Sequence, residues 1–128
     1  LSRYLAYFSE GKILMHEIGL MKNALSMVKR EALEKGLNKI ELVELVIGKM
    51  QGITAESLAH ALEIARADEP MFADCLVKVK EVEGSMKCLD CDSLFSLQEP
   101  AESCPSCRGG NLKLVSGLEF YVDSYTGN

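Results

Sequence analysis

Two Cys-x-x-Cys turns dictate more of this chain's architecture than any hydrophobic pattern does. Cys88 and Cys91 form the first, Cys104 and Cys107 the second, with twelve residues between them. Each pair wraps one side of a tetrahedral ion. Facing each other, the two turns offer four thiolates, the closed shell that zinc prefers. Pro105 stiffens the second turn, and Asp92-Ser93 and Arg108-Gly109-Gly110 follow the pairs as turn formers. Two other readings stay open. Paired disulfides require an oxidising compartment, which nothing in the sequence supports. A single iron would fit the same thiolates and would colour the protein. Four thiolate ligands leave no open position for a substrate, so the metal is expected to be structural.

From Ser85 to Asn111 the chain is polar, turn-rich and Cys-dense. Such a stretch cannot bury enough apolar surface to fold alone, so its order is expected to come from the metal. The fifth cysteine, Cys75, sits near Val77 in an apolar run and is expected to be a buried small hydrophobe.

The rest of the 128 residues has a globular balance, 48% hydrophobic and 26% charged. No apolar run approaches the ~18 residues of a membrane span, and no signal peptide is visible. The net charge is −5. Between Gly84 and Asn111, Lys87 and Arg108 face Asp90, Asp92, Glu99 and Glu102, with Phe95 as the lone aromatic. Neither phosphate neutralisation nor base stacking is provided for, so no nucleic-acid partner is expected. The chain offers no Ser/His/Asp set, no phosphate-cradling glycine loop and no nucleotide motif, so it is not expected to be an enzyme.

Periodicity gives an α+β order. Met21, Ala24, Leu25, Val28 and Ala32 share one face of a helix over Met21–Lys35, and Gly36 suits its left-handed cap. Ile40–Met50 is expected to be a strand, with Glu41 and Glu44 on opposite faces. Thr54 suits the N-cap of a helix over Ala55–Arg66, whose Leu58, Ala61, Leu62 and Ala65 form the buried stripe. Cys75–Val82 is expected to be a strand with Val77 and Val79 inward and Lys78 and Lys80 outward. Leu112–Tyr125 returns to strand character, with Leu118, Phe120 and Val122 alternating and a bulge or bend at Gly117. A short strand ahead of the first helix completes the order.

Residues Leu1–Leu14 show no clear period and no pattern of helix caps, whereas Met15 opens a segment with the look of an ordinary protein start. Residues 1–14 are therefore expected to be a leader foreign to the native domain. The alternative is a genuine extension that packs Leu5 and Phe8. The chain has two histidines. His60 lies on the polar side of its helix near Glu56 and Glu63, where a surface role is expected. His16 directly follows Met15. With translation starting at Met15, a free amine, ionisable backbone amides and the His16 imidazole enclose a divalent ion in a flat, nitrogen-rich set, a geometry that selects nickel(II) or copper(II). Glu17 follows as a further ligand or as an acceptor holding the imidazole.

Met15-His16-Glu17-Ile18-Gly19-Leu20, Ile47-Gly48, the four cysteines with Cys104-Pro105, and Ser116-Gly117-Leu118-Glu119 together resemble the HypA family of hydrogenase nickel-incorporation proteins. The resemblance covers Met15–Asn128. It implies a small cytoplasmic nickel metallochaperone that binds Ni(II) at Met15, His16 and Glu17 and holds a structural Zn(II) at Cys88, Cys91, Cys104 and Cys107. It implies a nickel-handling GTPase partner of the HypB type and delivery to the large subunit of [NiFe]-hydrogenase, or to urease, by a monomer or homodimer. The implied fold is an α+β nickel-binding domain, 15–84 and 112–128, built on a small mixed sheet with two helices. The zinc-ribbon-like module, 85–111, is inserted before the last strand. An acidic zinc-ribbon adaptor whose Met-His-Glu is incidental is the competing reading. The sequence departs from the family in placing fourteen residues ahead of Met15, which turns the amine into an amide.

Overall fold

The computed structural model describes residues 7–97 and 101–128, with side chains from His16 onward and without that of Leu97. Its first element is longer than periodicity indicates. Helix α1 runs over Tyr7–Glu34, fourteen residues ahead of the expected start, and the short strand anticipated there is absent from the described residues. The reason is local. No proline stands between Tyr7 and Leu20, and the Leu, Met, Glu and Lys there favour helix enough to carry Gly11 and Gly19. Of the leader 1–14, residues 1–6 lie outside the described residues.

The other end of α1 follows expectation. Gly36 is left-handed (φ 76°), Leu37 N–H donates to Ala32 O at 2.9 Å and Gly36 N–H to Leu33 O at 3.1 Å. This is a Schellman closure, which satisfies carbonyls the helix leaves open. Met21, Ala24, Leu25, Val28 and Ala32 are all buried, as their spacing requires. Strand β1 (Ile40–Gly48) ends in a 3-10 turn, Lys49–Gln51, before Gly52 reverses the chain. Helix α2 (Ala55–Ala65) opens on Thr54, which shares a capping box with Ser57 and buries Leu58, Ala61 and Ala65. A second 3-10 turn, Pro70–Phe72, buries Met71 and Phe72 ahead of β2 (Leu76–Val82).

Where one long final strand was expected, the chain makes two. Strand β5 (Leu112–Ser116) and β6 (Phe120–Gly127) are separated at Gly117, whose φ of 122° no strand residue adopts. Leu118, expected to take part in that strand's alternation, is consequently exposed in the connection. The Cys-dense stretch also holds two strands that its polarity conceals, β3 (Gly84–Cys88) and β4 (Leu94–Leu97). One three-stranded sheet has the order β2-β1-β6, and a second has the order β4-β3-β5. β3 is antiparallel to both its neighbours.

The chain divides into two compact units. The first contains α1 and the chain up to Glu44, Ile53–Lys78 and Val122–Asn128. Its core is α1 against α2 with Ile40, Val43, Met71, Phe72 and Cys75. Burying each large aliphatic or aromatic side chain there contributes about 1.5–3 kcal/mol. Polar ties hold its periphery: Lys29 pairs with Glu69 at 2.8 Å, Lys39 with Asp74 at 2.8 Å, and Arg66 donates to Cys75 O at 2.7 Å. Lys39 and Asn128 exchange backbone hydrogen bonds, each at 2.9 Å.

The second unit contains Leu45–Gly52 and Val79–Tyr121. Gly48 N–H donates to Glu119 O at 2.7 Å and Met50 N–H to Gly117 O at 2.8 Å, so numbers rise on β1 as they fall toward β5. Leu45, Val46 and Ile47 are buried in succession rather than alternately, the pattern of a central strand covered on both faces. Val79, expected inward, is exposed; β2 lies at a sheet edge.

Candidate metal centre

The two cysteine turns are built alike. In the first, Cys88 N–H donates to Ser93 O at 2.9 Å and Asp92 N–H to Cys88 O at 2.8 Å. In the second, Cys104 N–H donates to Gly109 O at 2.8 Å and Arg108 N–H to Cys104 O at 2.7 Å. Each turn reverses through one left-handed residue directly after its second cysteine, Asp92 and Arg108, both at φ 63°. Asp tolerates that region better than Arg, whose Cβ crowds the following carbonyl. Arg108→Gly should therefore stabilise this turn by about 1 kcal/mol, with metal stoichiometry unchanged. Denaturant titration of the metal-loaded protein checks this; a destabilised variant would contradict the conformational argument. A Cβ at Gly109 would lie 2.9 Å from an oxygen of the exposed Asp90 carboxylate, which can swing aside, and 3.3 Å from Cys107 Sγ, which would have to give by a few tenths of an ångström.

The turns bring four sulfurs together. Cys88 Sγ and Cys107 Sγ are 3.5 Å apart, Cys91 Sγ and Cys104 Sγ 3.7 Å, and all four lie within 4.8 Å of one another. A tetrahedral ion with bonds of about 2.3 Å to sulfur separates its ligands by about 3.8 Å. Two separations match this and none exceeds it by more than about 1 Å, so the set closes on one such ion with small side-chain shifts. Cys88 and Cys104 are buried, and Cys91 and Cys107 face outward. Ser106 N–H donates to Cys104 Sγ at 3.3 Å and Gly109 N–H to Cys107 Sγ at 3.4 Å, dipoles that hold sulfur as thiolate.

Charge in the cluster is uneven. Backbone N–H groups at Cys107 and then Ser106, against the effect of burial, bring the Cys104 thiol down to about 6. At Cys107 the Gly109 N–H favours the thiolate, but hydrogen bonding with Cys88, burial, Cys91 and Cys104 outweigh it and push the thiol up to about 12. Four thiols this close cannot all ionise without a cation between them. Cys75, in contrast, is alone: burial raises its thiol, and its Sγ donates to Leu76 O at 3.3 Å. It is the small buried hydrophobe its neighbours suggested.

The amino-terminal residues singled out from sequence are placed differently. His16 is exposed on α1 and Glu17 is wholly buried. Successive helical residues point about 100° apart, so the two side chains do not converge in this helix. Neither Glu17 carboxylate oxygen has a hydrogen-bond partner among the described residues. Glu17 occupies the stripe continued by Met21, Ala24 and Val28, where a charge without a partner is costly. His60 is exposed on α2, as expected. Sequence reasoning missed the left-handed residues and the N–H···S donors. The near-repeat of the two turns at a spacing of sixteen, visible in Cys88/Cys104 and Cys91/Cys107, is the signal that pointed to them.

Two helices on a small sheet, with a second sheet closed by four converging thiols, define a small metal-site protein. The comparisons with known proteins narrow this. The family model for HypA, described as hydrogenase/urease nickel incorporation, metallochaperone, matches residues 15–127. A hydrogenase maturation factor HypA from Moorella thermoacetica is 31% identical over 113 residues, covering 88% of this chain and 99% of its own. One from Pelodictyon phaeoclathratiforme is 35% identical over 112 residues, covering 88% and 95%. The solution structure of the Ni metallochaperone HypA from Helicobacter pylori shares the fold, with TM-score 0.64 at 20% identity over 87% of this chain and 96% of that one. The chain belongs to the HypA family, whose members are metallochaperones and maturation factors rather than enzymes.

Proposed function

We propose that the protein carries Ni(II) at Met15, His16 and Glu17 and delivers it to [NiFe]-hydrogenase or urease during maturation, while a Zn(II) at Cys88, Cys91, Cys104 and Cys107 fixes shape. The observation that carries this reading is that the match to the nickel-incorporation family begins at Met15, the residue that opens Met-His-Glu. Helix physics supports it. The first N–H groups of a helix have no acceptor within it. In a chain whose amine is that of Met15, the nitrogens of Met15, His16 and Glu17 are free for a metal, beside an exposed imidazole. With residues ahead of Met15 in helix, the N–H groups of His16 and Glu17 are taken by carbonyls four residues earlier. Nickel capture thus requires the start of α1 to open, and the buried Glu17, unpartnered among the described residues, favours opening.

Cargo held by few, mobile ligands at a chain end is easily passed by ligand exchange to a partner, which we take to be a GTPase of the HypB type and then the hydrogenase large subunit, in the cytoplasm. The four-thiolate set has the opposite character, a closed shell suited to permanence. Zinc rather than iron is favoured by chemistry that needs no electron transfer, and a colourless protein with one zinc per chain would bear this out.

The protein beginning at Met15 should bind one Ni(II), read by isothermal titration and ultraviolet absorbance. His16→Ala in that chain should lose nickel binding while thiolate-bound metal and helix content stay. Attaching Leu1–Leu14 should weaken nickel binding. Stoichiometric nickel retained by the His16→Ala chain would refute the site and leave the adaptor reading in its place.

A further inference from the structure

In the second unit, register assigns the side chains of the β4-β3-β5 sheet to two faces. Met86 lies opposite Phe95 and Leu114, and Cys88 opposite Leu112; these share one face, the one that carries a metal ligand. On the other face Lys87 sits directly between Leu94 of β4 and Lys113 of β5. Like charges directly opposite in an antiparallel pair repel, and a fold gains nothing from placing them there. Because both lysines lie on the face away from Cys88, neutralising the thiolates does not account for them. Among the described residues the one ion pair recorded for either is a long contact from Lys87 to Asp92, at 3.9 Å. In a chain of net charge −5 this is a cationic spot with no internal use.

Its surroundings are apolar and open. Leu94, beside Lys87, is 67% exposed. β5 is an edge strand, so half of its backbone groups face outward. A shallow groove of about 320 Å³ is lined by Leu114, Val115, Ser116, Leu118 and Glu119, and Val115 and Leu118 are 54% and 55% exposed. The acid in that groove, Glu119, is turned inward to accept the Gly117 N–H at 2.8 Å. A register irregularity at Ser85/Met86 twists the far end of β5 but leaves Leu112–Leu114 regular.

We propose that the outer edge of β5 and the Lys87–Lys113 pair dock an extended acidic segment of a partner protein, added to the sheet as a fourth strand beside β5. Main-chain hydrogen bonds to the free edge supply affinity. A carboxylate of the segment on the lysine face pairs with Lys113, the lysine next to the added strand, and offsets its repulsion of Lys87. The apolar side chains between the carboxylates point to the opposite face, where they cover the half-buried Leu112 and Leu114. The charge complementarity selects an acidic strand and rejects a basic one. This site is independent of nickel binding.

The test uses the full-length, metal-loaded protein and a fluorescein-labelled acetyl-Asp-Val-Glu-Val-Asp-amide peptide, with the Lys-Val-Lys-Val-Lys counterpart as control. Fluorescence anisotropy should show saturable binding of the acidic peptide, weakened by added salt, and none of the basic one. In two-dimensional NMR the acidic peptide should shift the amides of Leu112–Ser116. The double variant Lys87→Glu/Lys113→Glu should reverse the preference, at unchanged metal content. Should that variant lose its metal, Lys113→Gln serves instead, with an expected weakening of several-fold. Absence of saturable binding, shifts confined to residues outside β5, or affinity unmoved by these substitutions would each overturn the proposal.

Discussion

Replacing Cys88 by serine should abolish ordered structure from Ser85 to Ser116 while leaving the core of the first unit folded. The argument is one of burial. Between Val79 and Tyr121, the only buried residues described are Gly84, Cys88, Cys104 and Gly117. No aliphatic or aromatic side chain in that stretch is fully covered, so hydrophobic burial cannot hold the β4-β3-β5 sheet together. Metal coordination is the one available term of sufficient size, about 10–16 kcal/mol for a four-ligand structural zinc at neutral pH. Cys88 is both one of the four converging thiols and the last residue of the central strand β3, so its loss removes a candidate ligand and the strand's anchor at once. α1, α2 and the residues around Phe72 make an aliphatic core that needs no metal. The measurement is amide exchange on the variant and on the parent stripped with a strong chelator. Both should lose protection at Met86–Cys88 and Leu112–Leu114 and keep it at Met21–Ala32. Protection retained across the second sheet with no bound metal would refute the account.

That same burial pattern explains what could be read from the sequence and what could not. Helix α2 and the buried face of α1 were legible because a packed helix repeats its apolar positions and marks its ends, as Thr54 and Gly36 do. The start of α1 was not, since helix there is set by intrinsic propensity rather than by a stripe. β3 and β4 were hidden for a related reason: none of their described aliphatic or aromatic side chains is buried in a core, so nothing selects the alternation by which strands are recognised. Gly117 was legible as an interruption, but its consequence, two strands in place of one, depends on φ and on what packs beside it. The four cysteines that converge were plain from spacing alone. The carboxylate of Glu17 was not: its type suggested a ligand beside His16, and only the helix phase shows that the two point apart.

The glycines of the family resemblance also gain a physical meaning, which gives the second large expected effect. Gly48→Ala should destabilise the protein by at least about 3 kcal/mol and lower its melting temperature by roughly 10 °C or more. A Cβ at Gly48 would lie 2.0 Å from Gly117 O and 2.1 Å from its carbonyl carbon. The obstacle is backbone, which cannot rotate away as a side chain can. Gly117 is closely packed in turn: a Cβ of its own would meet Gly84 Cα at 2.9 Å and Met50 Cγ at 2.5 Å. Three backbone segments of the second unit thus meet at glycines, and the hydrogen bonds from Gly48 to Glu119 and from Met50 to Gly117 depend on that approach. The same substitution elsewhere calibrates the effect. At Gly52 nothing lies within 4 Å but φ is +73°, so alanine should cost about 1 kcal/mol. At Gly19, within α1 and equally open, alanine should stabilise by about 0.5–1 kcal/mol. Calorimetry on the three variants should therefore rank them Gly19, Gly52, Gly48 from most to least stable. A Gly48→Ala protein that melts with the parent would show that the strands do not approach as closely as this packing requires.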